Sequence, residues 1–291
     1  MIHVRVAVVL LVCSSVVAAG EAVSEFNGKI AYSGGNMEGD CGQNVFGSFS
    51  LPIADNFGFQ ADGLYTNVSD RDFYGAGGHL FWRDWDKGLL GVAGAVLDED
   101  DIDAGLIVAE GEYYLDRFTV TAAAGVANID YDESVPFIES DPTDFLGSLG
   151  LRYYPLDDLM FAGSYVYAFN NGLVLGEVEY QTPVDGLTLF AEFAGGENDY
   201  EHALFGLQFY LGKSKSLIRR HREDDPPSIV QRALYAVGTY GAEYNKRGHD
   251  YAEAQGTEYS SGYGLIAELA YVSGTLVVTD GGGVDGVVVG P

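Results

Sequence analysis

Eight charged side chains recur at alternate positions in apolar, glycine-rich segments: Asp62, Arg83, Glu110, Glu112, Arg152, Glu177, Glu179 and Glu192. At a period of two, such residues share one face of an extended chain. Carboxylates ranged around a water-filled bore favour the passage of cations. Guanidinium groups among them can instead bridge the carboxylates and close it. The sequence offers less for covalent chemistry. His79 and His202 fall on the same alternate positions, and each reads as a hydrogen-bonded residue of that face. Neither belongs to a His-x-Ser pair, and no G-x-S-x-G elbow supplies a nucleophile. H-E-x-x-H, paired C-x-x-C and P-loop motifs are also missing. Two acidic clusters invite a metal test: Asp98, Glu99, Asp100, Asp101 and Asp103, then Asp130, Asp132, Glu133, Glu139, Asp141 and Asp144. Neither has the Gly at position 6 and Glu at position 12 of a calcium loop. They read as hydrated acidic rims, and no cofactor or metal is expected.

The elements that must position these side chains are strands. Between Phe26 and Gly212, segments of about ten residues are separated by turn chemistry, near 26–36, 43–53, 57–67, 73–83, 88–97, 104–114, 118–128, 145–154, 159–169, 172–181, 187–195 and 201–211. Ile107, Ala109, Gly111 and Tyr113 alternate with Glu110 and Glu112; Leu149, Leu151 and Tyr153 alternate with Ser148, Gly150 and Arg152. Short connections such as Ala54-Asp55-Asn56 and Leu115-Asp116-Arg117 take turns with longer or more acidic ones such as 98–103 and 129–144. Five of the first kind and six of the second require twelve strands with both ends on the short-turn side. Charges turned toward lipid cost about 2–4 kcal/mol for Arg and Lys at mid-membrane, so the charged face is expected inward.

Phe81, Trp82, Tyr113, Tyr153, Tyr180 and Phe209 lie at strand ends beside the short turns. That is the placement of an aromatic girdle at a membrane–water interface. A soluble sandwich would set its aromatics near strand centres. The fold expected is therefore all-β: a closed antiparallel transmembrane β-barrel of about 12 strands, residues 23–212. Strands of this length span a bilayer when tilted.

Composition bounds the rest. The chain has 291 residues, 15 Lys+Arg and 43 Asp+Glu, a net charge of −28 that argues against nucleic acid as a partner. An apolar content of 47 % excludes a chain disordered throughout. Residues 1–22 read as a signal peptide: a basic start, the apolar run Val6 to Val12, and small residues at Ala18, Ala19, Gly20 and Ala22. Cys41 would then be the one cysteine of the mature chain, so no intrachain disulfide is expected.

Residues 213–291 have a different balance, with 8 basic and 10 acidic residues against 6 and 32 in 23–212. Lys213, Lys215, Arg219, Arg220 and Arg222 crowd the junction, and Glu223-Asp224-Asp225-Pro226-Pro227 reads as a linker. The basic group reads as a solvated linker, with contact to anionic headgroups or peptidoglycan as the functional alternative. Ser228 to Tyr244 suits a short helix, Tyr263 to Val278 a strand or two, and Gly281 to Pro291 is too glycine-rich to pack. The whole reads as a mostly irregular, flexible periplasmic tail.

With these residues in view, the stretch 23–212 resembles the porin-like outer-membrane β-barrels of Gram-negative bacteria. His202 to Leu211, with Gly206, Phe209 and Leu211, is similar to the terminal strand read by the barrel-insertion machinery, although a tail follows it. The resemblance implies an outer-membrane location, with lipid, lipopolysaccharide and the insertion machinery as partners; the alternative to hydrated acidic rims is weak binding of hard divalent ions that bridge them to lipopolysaccharide phosphates. The excess of carboxylates over guanidinium groups on the charged face favours a narrow passive channel for small solutes, cations or uncharged, with an acidic lumen. The alternative is a closed structural or surface-interaction barrel without conductance. A lipid-modifying enzyme comes third, since no residue constellation supports it.

Overall fold

The computed structural model describes residues 22–37, 40–68, 71–99, 102–131, 141–197, 200–224 and 226–255, and the pairs 277–278 and 287–288. Twelve strands run in order: β1 Asn27–Met37, β2 Asp40–Ala54, β3 Phe57–Val68, β4 Arg71–Asp84, β5 Gly88–Glu99, β6 Ile102–Leu115, β7 Phe118–Tyr131, β8 Thr143–Leu156, β9 Leu159–Ala168, β10 Asn171–Gln181, β11 Leu187–Gly196 and β12 Glu201–Leu211. Each pairs antiparallel with its neighbour in sequence, and β1 pairs with β12 to close the barrel. Number, order and connections match the sequence reading, with ends differing by a few residues.

Closure removes every edge, so all ladder groups must find partners across strands. The two register shifts coincide with prolines, which lack an amide hydrogen: Pro52, and Pro155 between Tyr153 and Leu156. The β9–β10 turn is tight, with Phe169 and Asn170 both at positive φ, the backbone a two-residue hairpin turn needs.

The outside is apolar. Ile30, Leu80, Leu90, Val92, Ile107, Leu149, Val174, Leu189 and Phe205 are among its exposed large side chains. A cylinder without edges and with such a surface is a membrane-spanning barrel. Both strand termini and the five short turns lie at one mouth, called here the terminus side. The loops between β1 and β2, β3 and β4, and so on lie at the other, the loop side.

In the segment after β12 the helix expected near 228–244 is present and longer, a further short helix precedes it, and neither is free of the barrel. Residues Leu217–Glu223 form helix α1 and Ile229–Gln255 form helix α2, and both pack against the inside of the barrel. Strands about 4.8 Å apart and tilted about 40° give a twelve-stranded barrel a backbone diameter of ~24 Å. That accommodates one helix ~10 Å across with a layer of side chains around it. The physical reason for entry is hydrophobic. Toward the loop side the lumen wall is itself apolar, with Phe46, Leu64, Phe73, Leu97, Leu106, Val108 and Ile129 buried. Ile229, Val230, Ala233, Leu234, Ala236, Val237 and Tyr240 of α2 join them in one core. Their spacing follows the helical period, a single apolar stripe. Among the described residues no helix is long and apolar enough to cross a membrane by itself.

Candidate functional site in the barrel lumen

All eight charged residues singled out by alternation point inward, and α1 and α2 supply partners to several. Asp62 on β3 accepts the backbone N–H of Ile229, the first residue of α2, at 2.8 Å. A carboxylate at a helix N-terminus completes an orphan donor and complements the helix dipole. The same carboxylate accepts from Gln60 at 2.8 Å and lies 3.1 Å from His79 Nε2. His79 Nδ1 lies 2.7 Å from Glu110, whose other oxygen is 3.4 Å from Arg232 of α2. Both nitrogens of His79 are thus engaged by carboxylates. This chain of groups ties the first turn of α2 to β3, β4 and β6.

Wall shape is as important as charge. β4 presents glycine where the helix passes: a Cβ added at Gly77 would lie 2.5 Å from Ile229 Cγ2 and 3.0 Å from Val230 Cγ1. Ala93 and Ala95 on β5 are the buried small residues beside it.

The opposite wall is apolar toward the loop side, at Val166, Leu173 and Leu175, and polar and less filled toward the terminus side. Glu177 on β10 pairs in register with Glu192 on β11, two like charges directly across a ladder. Glu192 accepts from Tyr235 of α2 at 2.6 Å and lies 3.0 Å from His202 Nε2. Glu179 accepts from Gln208 and Tyr210, each at 3.1 Å, and lies 3.1 Å from His221 of α1. Glu112 accepts from Tyr114 at 2.9 Å and faces Arg152 at 3.4 Å. Two cavities of about 130 and 100 Å³ lie between this wall and α2, and Arg152, Glu177, Glu192, Ser228 and Gln231 border both.

Helix α1 packs into the terminus-side mouth. Leu217 is buried among Tyr154, Met160 and Tyr210. His221 bridges Tyr154 and Tyr210 at 2.9 and 3.0 Å. The basic group at the junction is neither a solvated linker nor a headgroup contact throughout. Arg220 is buried, donates to Gln181 and Asp185, and lies over the Tyr210 ring. Arg222 donates to the Phe118 carbonyl, and Lys215 pairs with Ser24, Glu223 and Asp224. Arg83 is fully buried over the Phe81 ring, donating to the Ala22 carbonyl. Glu25, just before β1, is held below the usual carboxylate range by its hydrogen bond from Lys213.

The girdle needs one correction. Phe81 is 1 % exposed and faces the interior with Ala22, Val23 and Leu89. It shares the inward face with His79 and Arg83, each two positions away, so period two already excludes it from the lipid side. Trp82, next to it, lies on the outward face, and Tyr113, Tyr153, Tyr180 and Phe209 are exposed on the outside beside the short turns. The doublets divide: Tyr114, Tyr154 and Tyr210 turn inward and build the seat for α1. Residues 1–21 of the expected signal peptide, the acidic positions 100–101 and 132–140, and most of 256–291 lie outside the described residues. In the first acidic cluster Glu99 pairs with Arg71 at 2.7 Å.

Sequence reasoning missed Asp62's helix partner, His221, Arg232 and Tyr235. The signal for them was present. Leu89 to Leu97 reads Leu-Leu-Gly-Val-Ala-Gly-Ala-Val-Leu, apolar on both faces, which means burial on both sides. A lumen-facing apolar stripe calls for something apolar to cover it.

No family model matches the chain, and no curated protein matches it. Among solved structures, it is similar to the KdgM porin in complex with disordered oligogalacturonate, with a TM-score of 0.49 at 10 % identity over 62 % of this chain and 98 % of that one. It is also similar to the Acinetobacter baumannii outer membrane protein Omp33 (TM-score 0.41, 12 % identity, 64 % and 98 % covered). The translocator domain of autotransporter NalP from Neisseria meningitidis gives a TM-score of 0.39 at 11 % identity, with 65 % and 87 % covered. The architecture stands on the strand pairing described above.

Proposed function

We propose that this chain is an outer-membrane β-barrel closed at rest by its own C-terminal helix, with a narrow, passive, acidic route for small solutes along the β8–β12 wall. The observation that carries the reading is the single core shared by α2 and the lumen wall. A bore lined this way does not stand open in water, because uncovering it exposes the apolar faces of both. The route is suggested by the two cavities beside Glu177, Glu179 and Glu192. Displacing α2 would join them into a bore. The terminus side is then periplasmic and the loop side external, the usual disposition of short turns and long loops.

Planar-bilayer recording of the refolded full chain tests this. Wild type is expected to be nearly silent. The double variant Val230→Asp, Val237→Asp, which places two carboxylates in the shared core, is expected to open ohmic steps. Large steady conductance from wild type would overturn the plug. A barrel that stays silent once the helix is displaced would favour the purely structural reading.

A further inference from the structure

We infer that α2 carries the chain through the barrel, so that the end of the protein is displayed on the loop-side face, opposite the mouth where both strand termini lie. This rests on the outer-membrane orientation proposed above and replaces the expected periplasmic location of the tail. Three markers fix the path. β12 ends at the terminus side, and Gly212, at φ +102°, turns the chain back. The chain then crosses the mouth: Leu217 N–H donates to Asp158 and Ile218 N–H to the Asp157 carbonyl, both in the β8–β9 turn. α2 begins beside Asp62, midway along β3. Farther on, Asn171 donates to the Thr239 carbonyl and to Glu243, and the Tyr240 ring stands edge-on to Phe169 at 5.3 Å. Phe169 lies in the β9–β10 turn and Asn171 opens β10 directly after it, so both belong to the loop side. Helix α2 therefore reaches the loop-side mouth by Glu243.

It does not end there. The helix runs unbroken to Gln255, a further ~18 Å at 1.5 Å per residue. A continuous helix cannot double back into the bore. Its character changes at the same level. Positions 229–240 carry the apolar stripe, whereas Lys246, Arg247, Asp250 and Ala254 are exposed and Glu243–Gln255 is rich in charged and amide side chains. One half is built for a greasy lumen and the other for water, with the change at the mouth. The barrel thereby serves as a conduit for its own C-terminal segment.

Membrane-impermeant maleimide labelling of intact cells expressing the full chain tests this, using cysteines on known sides. Native Cys41, exposed at the loop-side start of β2, is the outside reference, and its signal is lost in Cys41→Ser. In that background Ala254→Cys is expected to label in intact cells as fully as Cys41 does in wild type. Asp86→Cys, in the β4–β5 turn, is expected to label only after the outer membrane is permeabilised. Lys246→Cys serves as a second probe of the same helix. If Cys41 labels in intact cells but Ala254→Cys and Lys246→Cys need permeabilisation, or stay unreactive throughout, the threading is wrong. If Asp86→Cys labels in intact cells and Cys41 does not, it is the orientation reading that fails.

Discussion

At the scale of single residues, the fit of α2 depends on what is missing from the wall. Gly77 leaves room that a side chain would fill, since its Cβ would stand 2.5 Å from Ile229. Gly77→Val is therefore expected to lift the first turn of α2 from β4 and to make Arg232, now packed against Glu110, a site of rapid tryptic cleavage. Gly176→Val is the control, because a Cβ there meets nothing within 4 Å. Equal cleavage of the two variants would show that the helix is not held against this wall. Asp62→Asn makes a second test. It keeps an acceptor for Ile229 but removes the charge at the helix N-terminus and beside His79. The helix-end contribution of such a charge is about 0.3–1 kcal/mol at exposed sites and up to about 2 when partly buried. A lower urea midpoint for exposure of Arg232 to trypsin is expected, with the barrel transition unmoved. The charged lumen positions were legible from alternation because lipid tolerates charge so poorly on the other face. Phe81 was misread because it was taken with Trp82 as a unit, although neighbours in a strand face opposite ways.

At the scale of elements, the strands and the first part of α2 were legible, and α1 and the seating of both helices in the barrel were not, for a physical reason. A barrel strand states its two environments in ten residues, through period two and its turns. A short helix after a run of arginines looks like a solvated linker until its buried partners are known. Arg220 illustrates this: its charge suggested solvent or headgroups, yet it sits inside, between Gln181, Asp185 and the Tyr210 ring. Arg220→Ala removes two hydrogen bonds and a ring contact from the seat of α1. With hydrogen bonds to charged groups worth about 1.5–3 kcal/mol, the loss is enough to detach a seven-residue helix. The expected result is tryptic cleavage at Arg219 and Arg222 while the barrel stays intact on gels. Binding to anionic vesicles should be unchanged. A drop in vesicle binding would instead return the basic group to the membrane surface.

At the scale of the whole molecule, the two walls of the lumen divide the work. β2 to β7 supply most of the apolar surface that holds α2, with Asp62 and Glu110 set in it, and β8 to β12 supply Glu177, Glu179 and Glu192 beside most of the unfilled space. Glu177, Glu179 and Glu192 border the cavities together with Arg152, Lys29 of β1 and Arg232 of α2, the last of which leaves with the helix. Glu177 and Glu192 face each other in register, an arrangement that is unfavourable for the fold alone because like charges directly across a ladder repel. Tyr235 offsets part of that repulsion by donating to Glu192, and only while α2 is seated. Displacing the helix therefore frees a carboxylate pair at the moment the space beside it opens to water. A cation is the species such a pair attracts, and chloride the species it repels. In the helix-displaced background Val230→Asp, Val237→Asp, reversal potentials under a KCl gradient should show potassium preferred over chloride. Adding Glu177→Gln and Glu179→Gln should move the reversal potential toward zero, and adding Glu192→Gln should move it further. If the potential is the same with and without these substitutions, the bore runs elsewhere and the acidic wall serves only to seat the helices.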